Sequence, residues 1–101
     1  MATLGDERLV RREVLRILDV AYLQGATVEL VAISLADGGY AVTDTDVEEH
    51  LVYLRDKGYV EIGVHEVKGL GRRKWARLTP KGKDLLEGNI PPDPGIMPAM
   101  R

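Results

Sequence analysis

The stretch TDTDVEEHLVYLRDKGYVEIGVHEVKGLGRRKWARLTPKG, residues 43–82, decides how this chain of 101 residues is read. Thr43 is placed to cap a helix, and Asp44 and Asp46 fill its first turn, where carboxylates favour the positive helix end. Val47, Leu51 and Leu54 recur at helical spacing with His50 beside them. Gly58 stands where a glycine ends a helix. Tyr59-Val60-Glu61-Ile62-Gly63-Val64 then alternates in part, as a β-strand does. A basic loop containing glycines follows from Val67 to Arg73, and Lys74 to Leu78 reads as a return strand. Thr79 caps a further helix, with Pro80 at the first position, where a missing N–H is harmless. The order is helix, hairpin with a charged tip, helix.

Working outward toward the N-terminus, residues 1–5 are expected to fray, and Asp6 to cap a first helix reaching about Gln24. Its apolar face is Val10, Val14, Ile17, Leu18 and Ala21, and Leu9, Leu15 and Tyr22 widen that stripe. Arg8, Arg11, Arg12 and Arg16 lie elsewhere on this helix and read as a solvated face with acidic neighbours. Gly25 stops it, and Thr27 caps a second helix to about Asp37. Val31, Ala32 and Leu35 suit a core face there, while Leu30, Ile33 and Ala36 leave little polar surface, so this helix reads as nearly buried or as an interface. Gly38-Gly39 is a turn, and Tyr40-Ala41-Val42 is a candidate short strand at the hairpin edge. Second helix, turn and third helix make a helix-turn-helix with a longer connection than the minimal one. Toward the C-terminus, Gly88 ends the last helix, and Pro91, Pro92, Pro94 and Pro98 mark residues 89–101 as a flexible tail that makes few contacts.

These segments imply one α+β domain, mainly α, over residues 6–88: a three-helix core, a two- or three-stranded wing hairpin and a C-terminal helix. The chain has no cysteine and only His50 and His65 as histidines, which argues against disulfides, thiol chemistry and a structural metal site. No catalytic constellation or cofactor motif is present. Gly69 and Gly71 suit a hairpin tip and lack the strand-to-helix context of a phosphate-binding loop. No apolar run approaches a membrane span and no signal core opens the chain, so a cytoplasmic protein is expected. His50 reads as a packed helix histidine, His65 as a surface residue, and Trp75 as packing at the base of the wing.

The formal net charge is -2, which is unusual for a chain that binds nucleic acid, but the charges are unevenly placed. Glu66 to Lys83 holds seven cations (Lys68, Arg72, Arg73, Lys74, Arg77, Lys81, Lys83) and one anion, Glu66. Thr43 to Asp56 holds five anions (Asp44, Asp46, Glu48, Glu49, Asp56) and one cation, Arg55. The wing is basic and the third helix acidic.

The pattern Val47-x-x-His50-Leu51-x-x-Leu54-x-x-x-Gly58-Tyr59-Val60, then a wing, then Leu78-Thr79-Pro80-Lys81-Gly82, resembles winged helix-turn-helix proteins of the MarR-like and PadR-like kind. The resemblance covers about residues 8–88, and its more specific part is the strand-to-helix junction at 78–82. The tail from Gly88 to Pro98 is also similar to the ending of small winged-helix proteins of Mu-like phages and prophages. The resemblance implies a small, non-enzymatic transcriptional regulator that binds double-stranded DNA and forms a homodimer. The wide apolar stripe of the first helix also suits a dimer.

On this reading Lys68, Arg72, Arg73 and Lys74 contact phosphates or a minor groove. Lys81 and Lys83 add cations at the N-terminus of the last helix, itself anion-attracting. Thr43, Thr45 and Glu49 are the base-reading candidates. The acidic third helix departs from the usual basic pattern. It supports an alternative, a winged helix that binds a protein partner through helix 43–57 or the tail 89–101 and does not bind DNA.

Overall fold

The computed structural model describes residues 4–98, with side chains from residue 7 onward. Four helices and three strands follow in the order α1 (Leu4–Val20), β1 (Ala26–Thr27), α2 (Val28–Asp37), α3 (Asp44–Asp56), β2 (Val60–Val67), β3 (Gly71–Leu78) and α4 (Pro80–Glu87). The antiparallel sheet has the order β1-β3-β2. The first helix thus begins before Asp6. Residues 1–3, expected to fray with 4 and 5, lie outside the described residues. The helix also ends before Gly25, because Leu23 adopts a left-handed conformation (φ 80°) in the turn that follows.

The core forms where the inward faces of α1, α2 and α3 meet the inner side of the sheet. Val14, Leu15 and Leu18 of α1, Val31 and Leu35 of α2, and Val47, Leu51 and Leu54 of α3 are buried there with Val60, Ala76 and Leu78. The outward faces of α1 and α2 are less well covered. Val20 is 92% exposed and Ile33 61% exposed, with Leu23 and Leu30 also exposed. Of the two expectations for α2, near-complete burial gives way to a half-apolar exposed face, and the interface reading is taken up below as a proposal.

The third strand is not Tyr40–Val42. Ala26–Thr27 takes that place, pairing Ala26 with Ala76 and Thr27 with Trp75. Residues 40–42 have no strand partner because Tyr40 is held to the end of α2, its amide donating to the Leu35 carbonyl at 2.9 Å. The hairpin is also longer than its sequence implies. Cross-strand pairing runs from Val60–Leu78 out to Val67–Gly71, so the loop is only residues 68–70. Arg72 and Arg73 thereby become strand residues, opposite Glu66 and His65.

Local structures fix both ends of α3, and the C-terminal one ties it to the hairpin root. Thr43 and Asp46 form a reciprocal capping box at the start of α3, each backbone N–H bonded to the other's side chain. The Thr43 amide first, then its hydroxyl, hold the Asp46 carboxyl below the ordinary range. At the other end Gly58 (φ 85°) makes a Schellman turn, with Gly58 N–H donating to Arg55 O and Tyr59 N–H to Leu54 O. Thr79 then does three things: its hydroxyl donates to Gly58 O at 2.7 Å and accepts from Gly82 N–H, and its amide donates to Tyr59 O. A Cβ on Gly82 would lie 2.2 Å from that Tyr59 oxygen, so only glycine lets α4 sit so close to the hairpin root. This is the physical content of the junction at 78–82.

The tail differs most from its expectation of few contacts. Residues 89–98 fold back over α1 toward α3, burying Asp93 and Ile96 and packing Ile90 on the core. Met97 N–H donates to Arg8 O, and the Arg11 guanidinium donates to Gly95 O at 3.1 Å. The arginines of α1 are therefore divided. Arg16 pairs with Glu13 as a solvated face would, whereas Arg11 and Arg12 reach the tail. Beneath the tail lies a mostly apolar pocket of about 190 Å³, lined by Leu15, Leu85, Leu86, Ile90, Ile96 and Met97 among others.

Candidate nucleic-acid interface

α3 has four separable sides. Val47, Leu51 and Leu54 face the core. Thr45, Glu49, Val52 and Asp56, spaced four, three and four apart, form an exposed stripe opposite to it. Between these lie two flanks. On one, Glu48 forms an ion pair with Lys74 of β3. On the other, His50 Nδ1 accepts from Arg11 at 3.3 Å, and the Tyr53 ring lies under the Arg11 guanidinium, 4.0 Å from its centre. Burial first, and then the Arg11 charge, hold the His50 imidazole below its ordinary pKa, as befits a packed histidine. The helix is thus held on both flanks with its polar stripe left outward.

The hairpin has two faces, because side chains alternate along a strand. Ala76, Leu78, Val60 and Ile62 make the inner face at the root. Toward the tip that same face carries Arg72, Lys74, Val64 and Glu66. The outer face carries Arg73, Trp75 and Arg77 opposite His65, Gly63 and Glu61. Trp75 stacks on His65 with ring centres 5.2 Å apart, lies over Gly63, and has Arg77 5.5 Å from its ring. It packs against the hairpin as expected, although its Nε1 finds no hydrogen-bond partner among the described residues. Arg77 pairs with Glu61.

The expected site residues separate into three groups. Lys68, Arg72, Arg73 and Lys74 gather at the distal half of the hairpin, and among the described residues the first three have no ion-pair partner. Thr45 and Glu49 sit on the exposed stripe of α3, while the Thr43 hydroxyl is occupied at the helix cap. Lys81 and Lys83 have other occupations. Lys81 donates to Lys57 O at 3.0 Å, covering a carbonyl at the end of α3, beside the Tyr59 ring. Lys83 reaches Asp19 of α1 at 2.7 Å, with Glu87 3.6 Å away, and the Asp19 bond leads the causes that raise its pKa. Lys83 therefore joins α4 to α1 instead of joining the wing cations.

The acidity of α3 is smaller in three dimensions than in sequence. Asp46 is used by the cap, Glu48 by Lys74 and Asp56 by Arg55. Among the described residues Asp44 and Glu49 remain without an ion-pair or capping partner. The pairing of Glu48 with Lys74 had no local signal, since the two are 26 positions apart and meet only when the hairpin folds beside α3.

A helical core carrying a helix-turn-helix, followed by a hairpin that projects past the second of those helices, has one reading. The fold is a winged helix-turn-helix. Solved structures agree. A PadR family transcription regulator of Clostridium difficile R20291 superposes with a TM-score of 0.67 at 21% identity, over 79% of this chain and 81% of that one. A PadR family transcriptional regulator of Eggerthella lenta DSM 2243 gives 0.61 at 23%, over 79% and 71%. Bacillus subtilis PadR in complex with operator DNA gives 0.65 at 16%, over 93% of this chain and 53% of that one. No protein-family model and no curated protein matches the chain. Among the described residues no helix is long and apolar enough to cross a membrane.

Proposed function

We propose that this chain is a small winged-helix transcriptional regulator that binds double-stranded DNA, with α3 in the major groove and the hairpin tip on the adjacent backbone. The observation that carries the reading is the placement of the exposed α3 stripe beside a cluster of cations at the distal hairpin, joined by the Glu48–Lys74 pair. The B. subtilis neighbour is a protein of similar fold in complex with operator DNA, which supports DNA as the partner of this chain. Lys68, Arg72 and Arg73 supply phosphate contacts, and release of condensed counterions gives the affinity. Thr45 and Glu49 face the bases; a glutamate accepts from cytosine N4, and a threonine hydroxyl donates or accepts. Lys74 screens Glu48 from the phosphates. Lys81 adds a weaker contact at the hairpin root. Such a regulator works in the cytoplasm.

We further propose that two chains pair, since Val20, Leu23, Leu30 and Ile33 leave apolar surface on α1, α2 and the turn between them. Sedimentation at high micromolar concentration should then show a dimer, and monomer alone would remove this part of the reading.

The DNA reading is tested by fluorescence anisotropy of a labelled random-sequence duplex against the protein and its Lys68→Ala/Arg72→Ala/Arg73→Ala variant. Binding at low salt, lost in the variant, is expected. If the parent chain fails to bind at any salt, the basic wing does not serve DNA. The interaction-module reading then replaces this one, with the acidic α3 stripe as the partner surface.

A further inference from the structure

The docked tail carries a buried carboxylate at a place where a surface segment has no need of one. Asp93 is 7% exposed. Its Oδ1 accepts from the Tyr53 hydroxyl at 2.8 Å and from Gly95 N–H at 2.8 Å, and its Oδ2 accepts from the Tyr59 hydroxyl at 2.9 Å. The carboxylate therefore has three donors, which is what a buried anion needs to be tolerated. The two phenols come from different elements. Tyr53 is on the flank of α3 away from the wing, and Tyr59 is the first residue after the Schellman turn, at the hairpin root. Gly95 closes against the same group, since a Cβ there would lie 2.0 Å from the Tyr53 oxygen. Arg11 completes the arrangement by bonding both Gly95 O and His50 while lying over the Tyr53 ring.

We infer that Asp93 is a positioning residue for DNA recognition: it clamps α3 to the hairpin root, so that the tail fixes the angle between the base-facing helix and the wing. The assignment of α3 as the base-facing helix rests on the function proposed above. Glu48–Lys74 holds the wing flank of α3 through one exposed pair, whose net strength is small. The opposite flank is held by charge-assisted bonds, Tyr53 to Asp93 and Arg11 to His50, that are part-buried and so less exposed to solvent. Of the two flanks, the tail side thus adds the stronger restraint to the one that Val47, Leu51 and Leu54 supply from the core. The proline-rich composition serves this role, because a chain with fixed φ at Pro91, Pro92 and Pro94 presents Asp93 with little ordering entropy left to lose.

The test uses the full chain and two variants, Asp93→Asn and Tyr53→Phe, each close in shape to the original. Hydrogen exchange by mass spectrometry is followed alongside DNA binding. Duplexes selected from a random pool by the parent protein are compared with the unselected pool, each across a salt series. The inference expects amides of α3 and of residues 89–98 to exchange roughly tenfold faster in Asp93→Asn, with those of α1 and the hairpin strands little changed. It also expects preference for selected over random duplex to fall while the salt slope stays constant, because the wing still meets the phosphates. Tyr53→Phe removes the bond from Asp93 to α3 and leaves Tyr59 on Asp93, so faster exchange is expected in α3 with less change in residues 89–98. Unchanged α3 exchange in both variants would overturn the clamp. So would uniform acceleration through the whole domain, which would make Asp93 a general stabiliser. Failure of the parent chain to bind any duplex would overturn the DNA reading and with it the recognition role of the clamp. The exchange pattern would then still decide whether Asp93 holds α3.

Discussion

α3 and the distal hairpin occupy the same side of the molecule and are built on opposite principles. α3 is anchored by three fully buried side chains below, an ion pair on one flank, and Arg11 and Asp93 on the other. The hairpin beyond Val64 has no core beneath it; Leu70 at its tip is 61% exposed, and Lys68 and Arg72 are exposed. On the proposed function, the difference separates two tasks in DNA binding. Phosphate contacts position a protein and tolerate a mobile, charged arm, whereas base reading needs side chains fixed to within a fraction of an ångström. A net-negative chain can then bind DNA, provided its positive charge is concentrated in the projecting element and its negative charge is neutralised within the anchored one.

The largest effect that would sharpen this contrast is in the anchoring. Leu51→Ala removes a side chain that is 1% exposed under α3, and should lower unfolding free energy by about 3 kcal/mol, read by chemical denaturation. Leu70→Ala at the tip should change it by less than about 0.5 kcal/mol. Similar losses from the two would erase the distinction between a held helix and a projecting arm. Next come the wing charges. Each of Lys68→Ala, Arg72→Ala and Arg73→Ala should make the salt dependence of DNA affinity shallower by about 0.9 in log–log slope if it neutralises one phosphate. None should change stability by more than about 0.5 kcal/mol.

How much of this was legible in the sequence follows from how local each cause is. Caps, glycine stops and the helical spacing of Val47, Leu51 and Leu54 act within a few residues, and the helices and hairpin were placed from them to within a few positions. The identity of the third strand was not legible, because Ala26–Thr27 has no strand character of its own and exists only through pairing with Ala76 and Trp75. The docking of the tail is illegible in the sequence for a similar reason. Its prolines rule out a helix, but docking depends on Tyr53 and Tyr59, 40 and 34 positions away. Of the candidate site, the wing cations were legible as a charge run. The removal of Lys83 to Asp19 and the neutralisation of Glu48 were not, since both are long-range pairings.

The pH dependence offers a finer probe of the anchored side. Burial pushes the Asp93 carboxyl up, but the Gly95 amide and the two phenols, with Lys57 beyond them, outweigh it and hold the folded pKa below the usual range. Its contribution is therefore complete above the unfolded carboxylate pKa of about 3.9 and is lost as pH falls through the lower folded value. Burial, followed by the Asp93 bond, pushes the Tyr59 phenol up to about 12. That contribution is present below an unfolded pKa of about 10 and is lost as pH rises from there through about 12. Thermal melts across both ranges should show the two losses, and Asp93→Asn should remove its share of the acid limb. A small effect is also expected at the contact between the two regions. Glu48→Gln breaks an exposed pair and should change stability by less than about 1 kcal/mol. It should nonetheless strengthen DNA binding, because it frees Lys74 and removes a charge facing the phosphates. Weaker binding would mean that the pair orients the wing.

The most direct test of the account is a backbone amide chemical-shift titration of the full chain with a short duplex at low salt. Resonances of residues 43–52 and 66–74 should move together, with those of the exposed faces of α1 and α2 unmoved at the same ratios. Shifts confined to α2 and the turn before it, or none on α3 while the wing responds, would contradict the assignment of α3 as the helix that meets the bases.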